Sequence, residues 1–195
     1  MCGRYTTCTE EEILEIKNII KDISIKLSEE DKKYLGKEVS PTIMAPVIDN
    51  KKELKLIKWG FEKWDQKGVI FNARSDKLET SQFYLYNYKN GRCLIPLTNY
   101  YEWEKVGLKK EKYEIKPDKV LFMAGLIKKE KDGSDSYTII TKDANDDIKF
   151  IHPRMPIFVS NEKAENWLNG NLSIKELEKD FQVMNYHKSN QEVKN

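Results

Sequence analysis

The chain opens MCGRYT, which places the Cys2 thiol directly behind Met1. An initiator methionine is readily removed when the next residue is small, and cysteine is small. The processed chain would begin with an α-amine and a thiol on neighbouring carbons. Neither an internal cysteine nor a lysine shares the chemistry of that pair. The amine condenses with an aldehyde to an imine, and the sulfur then closes on the imine carbon to give a five-membered thiazolidine. An α-amine with a pKa of about 7.7–8.0 is roughly a tenth to a fifth neutral at pH 7, against less than about a thousandth for lysine. Terminal position thus supplies a nucleophile without deep burial. The competing reading of Cys2 is a small buried thiol with no reactive role.

Aldehyde capture needs protons moved in both directions: water must leave the carbinolamine, and the amine and thiol must be deprotonated. Glu102, in YYEWEK, is the best-placed carboxylate, because Tyr101 and Trp103 flank it and would desolvate it, raising its pKa. In a strand it shares a face with Tyr100 and Glu104, while Tyr101 and Trp103 face the other way. Asn72, in FNARS, is a neutral donor and acceptor at a strand end, able to orient an amine or a sugar hydroxyl, or else a turn residue. His187 lies in a polar tail and reads as a solvated surface residue, whereas His152 in IHPRMP suits either proton transfer or a structural role. Two histidines and three scattered cysteines without CxxC or HxxxH spacing make a poor metal set, so neither metal nor cofactor is expected.

Arginine is scarce. Lysine and arginine together number 34, yet arginine occurs only at Arg4, Arg74, Arg92 and Arg154. A chain that uses lysine for generic charge keeps arginine where a planar, five-donor fork is needed, at bidentate phosphate contacts or buried carboxylate pairs. Formal net charge is only +2, so any nucleic-acid surface must be local.

These groups must be positioned by elements legible in the pattern. Thr9 with Glu12 forms a capping box, and Ile13, Ile16, Ile20 and Ile23 recur at helical spacing, predicting an amphipathic helix on a sheet. SEEDKKYLGKE reads as a polar connection and SPTIMAP as a loop. LKLIKWGFEKW and GVIFNARS contain strands, TSQFYLYNYK a short helix, RCLIPL a compact strand ended by Pro96, and YYEWEK the start of another strand. KYEIK, VLFMAGLI and SYTIIT continue an antiparallel middle, with KPD and KDGSD as turns. FIHPRMPIFV is an apolar segment broken by two prolines. Ser160 and Ser173 can cap two late helices, the second boxed by Glu176, that bury Trp167, Leu168, Ile174 and Leu177. The fold class is α+β: one domain over residues 1–195, a curved, barrel-like, mostly antiparallel β-sheet with peripheral helices. With 39% hydrophobic residues the chain can bury a sizeable core. It has no apolar run long enough to cross a bilayer and no visible signal peptide, so a cytoplasmic location and no membrane partner are expected.

MCGRYT, WGF, FNARS, RCLIPLTNYYEW, FMAGLI, YTIIT and IHPRMP, in this order from Cys2 to the last helix, resemble the motifs of the SRAP family, the SOS-response-associated peptidase domain. Two stretches depart from the family pattern. Thr42 and Ile43 stand where it has an aromatic residue and asparagine, and Lys63 stands where it has proline. The resemblance implies a sensor of abasic sites in single-stranded DNA, expected to act as a monomer and to associate with the nucleoid when bound to damaged DNA. It implies a covalent thiazolidine crosslink between Cys2 and the ring-opened sugar, after autopeptidase-type removal of Met1. By the same resemblance Asn72 positions the reacting end, Glu102 acts as acid and base, and His152 assists ring opening. Arg4, Arg74 and Arg154 hold phosphates. The rival readings are a thiol peptidase using Cys2 and His152, and a non-covalent single-strand binding module in which aromatic residues stack bases.

Overall fold

The structure, a computed structural model, describes residues 2–65, 67–118, 122–180 and 183–189. Met1, whose removal the reactive terminus requires, and Val120 and Leu121 of the VLFMAGLI stretch lie outside the described residues.

Strand β1 (Arg4–Thr7) leads into helix α1 (Glu10–Ile19), which the expected box closes: Thr9 N donates to Glu12 Oε2 at 2.8 Å and Glu12 N donates to Thr9 Oγ1 at 3.2 Å. Ile13, Ile16 and Ile20 bury its inner face. Between β2 (Ser24–Ile25) and β3 (Glu38–Val39), the stretch read as a plain connection contains a 3-10 helix, Glu29–Tyr34. Ser28 and Asp31 form a second capping box there, which gives this charged segment a local reason to coil.

Next come β4 (Met44–Ile48), β5 (Glu53–Trp59), the small hairpin of β6 (Phe61–Glu62) with β7 (Val69–Ile70), β8 (Asn72–Arg74) and helix α2 (Gln82–Asn90). The long β9 (Arg92–Val106) is followed by β10 (Lys109–Pro117), β11 (Phe122–Lys129) and β12 (Asp135–Asp143). The chain finishes through β13 (Arg154–Pro156), β14 (Phe158–Val159), α3 (Ala164–Leu168), α4 (Ile174–Glu178) and β15 (Met184–Lys188).

The sheet closes on itself. The first part of β9 pairs with β11 and β4, β11 pairs with β12, β12 runs parallel to β5, and β5 returns to β4. Closure removes the exposed edges of the central strands. Pairing is mostly antiparallel, with parallel contacts only at β12–β5, β12–β8 and β2–β5 among the described residues. Gly125 lies inside a tight corner of this ring, where an added Cβ would come within 2.6 Å of Ile95 Cδ1 and 2.9 Å of Thr138 O.

Pro96 does not end a strand. RCLIPL and YYEWEK are one continuous strand of 15 residues. Residues 92–96 pair with β11, and from Leu97 onward the strand is taken up by β1 and then β10. Proline, with no N–H to donate, sits where the ladder changes partners, so its usual penalty in a central strand is avoided. The end of the chain also differs from the expected polar tail. Met184–Lys188 is a strand that covers the outer edge of β10, while His187 itself stays exposed, 3.5 Å from Glu114.

Two cores result. The inner one holds Cys2, Tyr5, Trp59, Tyr100 and Tyr137, and the outer one holds the helices against the sheet through Ile16, Ile20, Trp167, Leu168, Ile174 and Leu177. Ser173 and Glu176 form the predicted box at α4, but Ser160 precedes a short 3-10 turn and its hydroxyl caps nothing. Arg92 belongs to the outer core. It lies over the rings of Tyr88 and Trp167, at 4.4 and 4.5 Å, and donates to the carbonyls of Tyr88 and Leu172. It is a structural arginine.

Candidate functional site

The site is assembled where β1, β8, β9 and the loop before β13 converge. Trp59 is the anchor: it stacks on Tyr137 at 6.2 Å, meets Tyr5 edge-on at 5.2 Å, and donates from Nε1 to Phe71 O at 2.9 Å. The hydroxyls of Tyr5 and Tyr137 share a 2.6 Å hydrogen bond. This block fixes residue 71, and so the start of β8, against β12. Asn72 then faces the chain terminus and donates from Nδ2 to Cys2 O at 2.9 Å. Its Oδ1 is buried with no hydrogen-bond partner among the described residues. A buried acceptor left without a donor costs about 1–3 kcal/mol, so the fold bears a cost to keep this oxygen available.

Cys2 is fully buried. Its place at the start of the chain does not spare it deep burial. Burial pushes its thiol well above the ordinary range, and the negative charge of Glu102 pushes it further. At neutral pH the sulfur therefore carries its proton. Glu102 is also buried, and burial pushes its carboxyl up against the pull of the nearby His152 imidazole. The raised carboxyl matches the sequence expectation, as does the placement of Tyr101 and Trp103. They face the other way, with Lys112 Nζ lying 3.9 and 5.8 Å from their ring centres. Glu102 instead shares the inner face with Tyr100, whose buried hydroxyl has no hydrogen-bond partner among the described residues. His152 is oriented by its own loop: its Nδ1 lies 3.0 Å from Arg154 N and 3.1 Å from Arg154 O.

An arginine stands two residues after Cys2, Asn72 and His152 in turn. Arg4 donates from Nη1 to Glu38 at 2.7 Å. Arg74 turns Nε and Nη2 to Asp76 at 2.9 and 3.1 Å. Arg154 donates from Nη1 to Asp143 at 2.8 Å and from Nη2 to Thr141 O at 2.6 Å. Arg74 and Arg154 lie on either side of the end of β12, opposite Thr141 and Asp143. The structure thus brings Cys2, Asn72, Glu102 and His152 together and rings them with Arg4, Arg74 and Arg154. Sequence reasoning passed over the carboxylates that hold these arginines. Asp76 was visible as Arg-x-Asp spacing, but Glu38 and Asp143 are joined to their arginines only by strand pairing. The departures from the family pattern lie close to the anchor. Thr42 adopts φ +80° and donates from N to Trp59 O at 2.8 Å, and Ile43 is exposed.

Comparison with known proteins places this architecture. A solved protein from Bacteroides thetaiotaomicron shares the fold with a TM-score of 0.81 at 23% identity, over 96% of this chain and 91% of that one. Abasic site processing protein YoqW of Bacillus subtilis is 30% identical over 185 residues, which is 87% of this chain and 80% of YoqW. Abasic site processing protein YMR114C of Saccharomyces cerevisiae is 31% identical over 66% of this chain, and the match spans only 38% of the yeast protein. The family model described as SOS response associated peptidase (SRAP) matches residues 1–195. Fold, motif order and full-length match agree, and the chain belongs to the SRAP family.

Proposed function

We propose that this protein processes abasic sites in single-stranded DNA by capturing the sugar aldehyde at Cys2 as a thiazolidine. The observation that carries the reading is the convergence at Cys2 of the Asn72 amide, bonded to the Cys2 carbonyl, and the buried Glu102 carboxyl, whose negative charge acts on the buried thiol. The names of the relatives, abasic site processing proteins, agree with it.

The chemistry runs in balanced steps. Hydrolysis of the Met1–Cys2 peptide bond consumes one water and frees the Cys2 α-amine. The amine adds to C1 of the ring-opened sugar. Glu102, holding its proton more readily than an ordinary carboxyl, gives it to the carbinolamine oxygen, which leaves as water. The resulting carboxylate then takes the thiol proton as sulfur bonds to the iminium carbon, and the C=N electron pair returns to nitrogen, which keeps its one hydrogen. Capture loses one water overall. Asn72 Oδ1 accepts from the amine or a sugar hydroxyl, and His152 assists ring opening. A single strand suits such a site, because a baseless sugar there enters a pocket without opening a duplex.

A thiol peptidase acting on other proteins is the weaker reading, because burial drives Cys2 away from the thiolate that such catalysis uses. The experiment is denaturing electrophoresis after incubation with an abasic or an intact single strand, with a foreign peptide in parallel. A persistent band with the abasic strand alone is expected. Reversible binding without that band, or peptide cleavage without it, overturns the reading.

The arginines give a separate expectation. Arg4→Ala, Arg74→Ala and Arg154→Ala should each lower the slope of log affinity against log salt, by at most about 0.7, the value for one uncompensated phosphate contact on a single strand. Crosslinking across a salt series checks this, and unchanged slope, yield and rate in all three variants contradict it.

A further inference from the structure

Each candidate phosphate-binding arginine already carries a carboxylate of this chain: Glu38 on Arg4, Asp76 on Arg74 and Asp143 on Arg154. None of the three is a plain structural pair. Arg4 and Arg74 are more than half exposed, at 51% and 57%, and Asp143, opposite the more enclosed Arg154, is 89% exposed. Pairs in such settings contribute little to folding. Among the described residues the geometry also leaves donors unused. Arg4 commits only Nη1, Arg74 commits Nε and Nη2, and Arg154 commits Nη1 and Nη2. Each guanidinium keeps at least one N–H edge for a phosphate oxygen, while the adjacent carboxylate cancels most of its field at longer range.

Resting on the reading of these arginines as phosphate contacts, we infer that Glu38, Asp76 and Asp143 are specificity determinants that suppress retention of undamaged DNA. Donor geometry survives, so a strand threaded correctly is still gripped. The long-range attraction that would hold any strand is removed, in keeping with a formal net charge of only +2. Intact strands then leave, and a strand with an aldehyde stays because a covalent bond replaces the missing electrostatic hold. At Arg4 the balance is finer, since Glu38 also takes Lys112 Nζ at 2.9 Å and that trio retains one positive charge.

The test measures equilibrium binding of an intact, fluorescently labelled single-stranded oligonucleotide by anisotropy over a salt series. The proteins are wild type, Glu38→Gln, Asp76→Asn, Asp143→Asn and the triple variant. Removing one negative charge at roughly 6 Å from a phosphate in water tightens binding by about threefold at low salt. The triple variant should gain more than about tenfold, and the gain should shrink as salt screens it. Affinity that is unchanged, or weaker because the carboxylates serve only to align the arginines, overturns the inference. Thermal melts confirm that the variants fold. Adduct formation with an abasic strand is read separately. Tighter intact-strand binding with no adduct in any protein would defeat the functional reading and leave this inference standing, whereas normal adducts with unshifted affinities would defeat only the inference.

Discussion

Cys2→Ala yields no persistent adduct with abasic single-stranded DNA, while Cys8→Ala and Cys93→Ala react as the wild type does. All three thiols are buried, so burial alone does not separate them. Burial pushes the Cys8 thiol up to about 12, and it lies in the outer core with α1. Cys93 lies inside the barrel corner facing Gly125. Only Cys2 lies within reach of Asn72 and Glu102. Supplied without Met1, the Cys2→Ala chain keeps its α-amine, so an imine can form. What is lost is ring closure. The variant should therefore give a band only when borohydride is added to reduce the imine, whereas the wild-type product persists without it. Loss of one buried sulfur costs about 1 kcal/mol, comparable to deleting a methyl group, so the variant remains folded. Intact mass after denaturation reads the result, and a persistent unreduced adduct from Cys2→Ala contradicts the account.

Glu102→Gln separates activity from stability in opposite directions. The glutamine keeps the shape but can neither give nor take a proton, so capture at saturating DNA should slow by about 10²-fold or more, with intact-strand binding little changed. Stability moves the other way. The folded carboxyl holds its proton more tightly than in the unfolded chain. Its favourable contribution is therefore complete below the unfolded pKa of about 4.3 and is lost as pH rises through the higher folded value. Glutamine removes that loss. Glu102→Gln should melt above wild type at neutral pH and converge with it below about pH 4. An undiminished single-turnover rate rejects the acid–base role, and a melting difference independent of pH rejects the burial argument.

Much of this site could be read from residue types. A thiol at position two and a flanked glutamate pointed to residues that fold to one place, and of the four scarce arginines three lie beside them while Arg92 lies in the outer core. Helix starts were legible because the Thr9 and Ser173 boxes are satisfied within one turn. What the sequence hid was long-range. Pro96 reads as a strand end until the change of partner from β11 to β1 is seen, and the strand at Met184–Lys188 exists because β10 offers an edge to cover. The same limit concealed the pairing of Arg4 with Glu38, 34 residues apart and joined through β1 and β3. Strand alternation correctly turned Tyr101 and Trp103 away from Glu102, but which residues bury its carboxyl depends on the inner core that the fold assembles.

The most direct measurement uses chains lacking Met1, with the Cys2 α-amine either unmodified or selectively acetylated, mixed with an abasic single strand and weighed after denaturation. Joint capture by nitrogen and sulfur predicts that the unmodified chain gains the mass of the strand less one water, and that the acetylated chain gains nothing although its thiol is intact. An equal gain in both, or none in the unmodified chain, contradicts it.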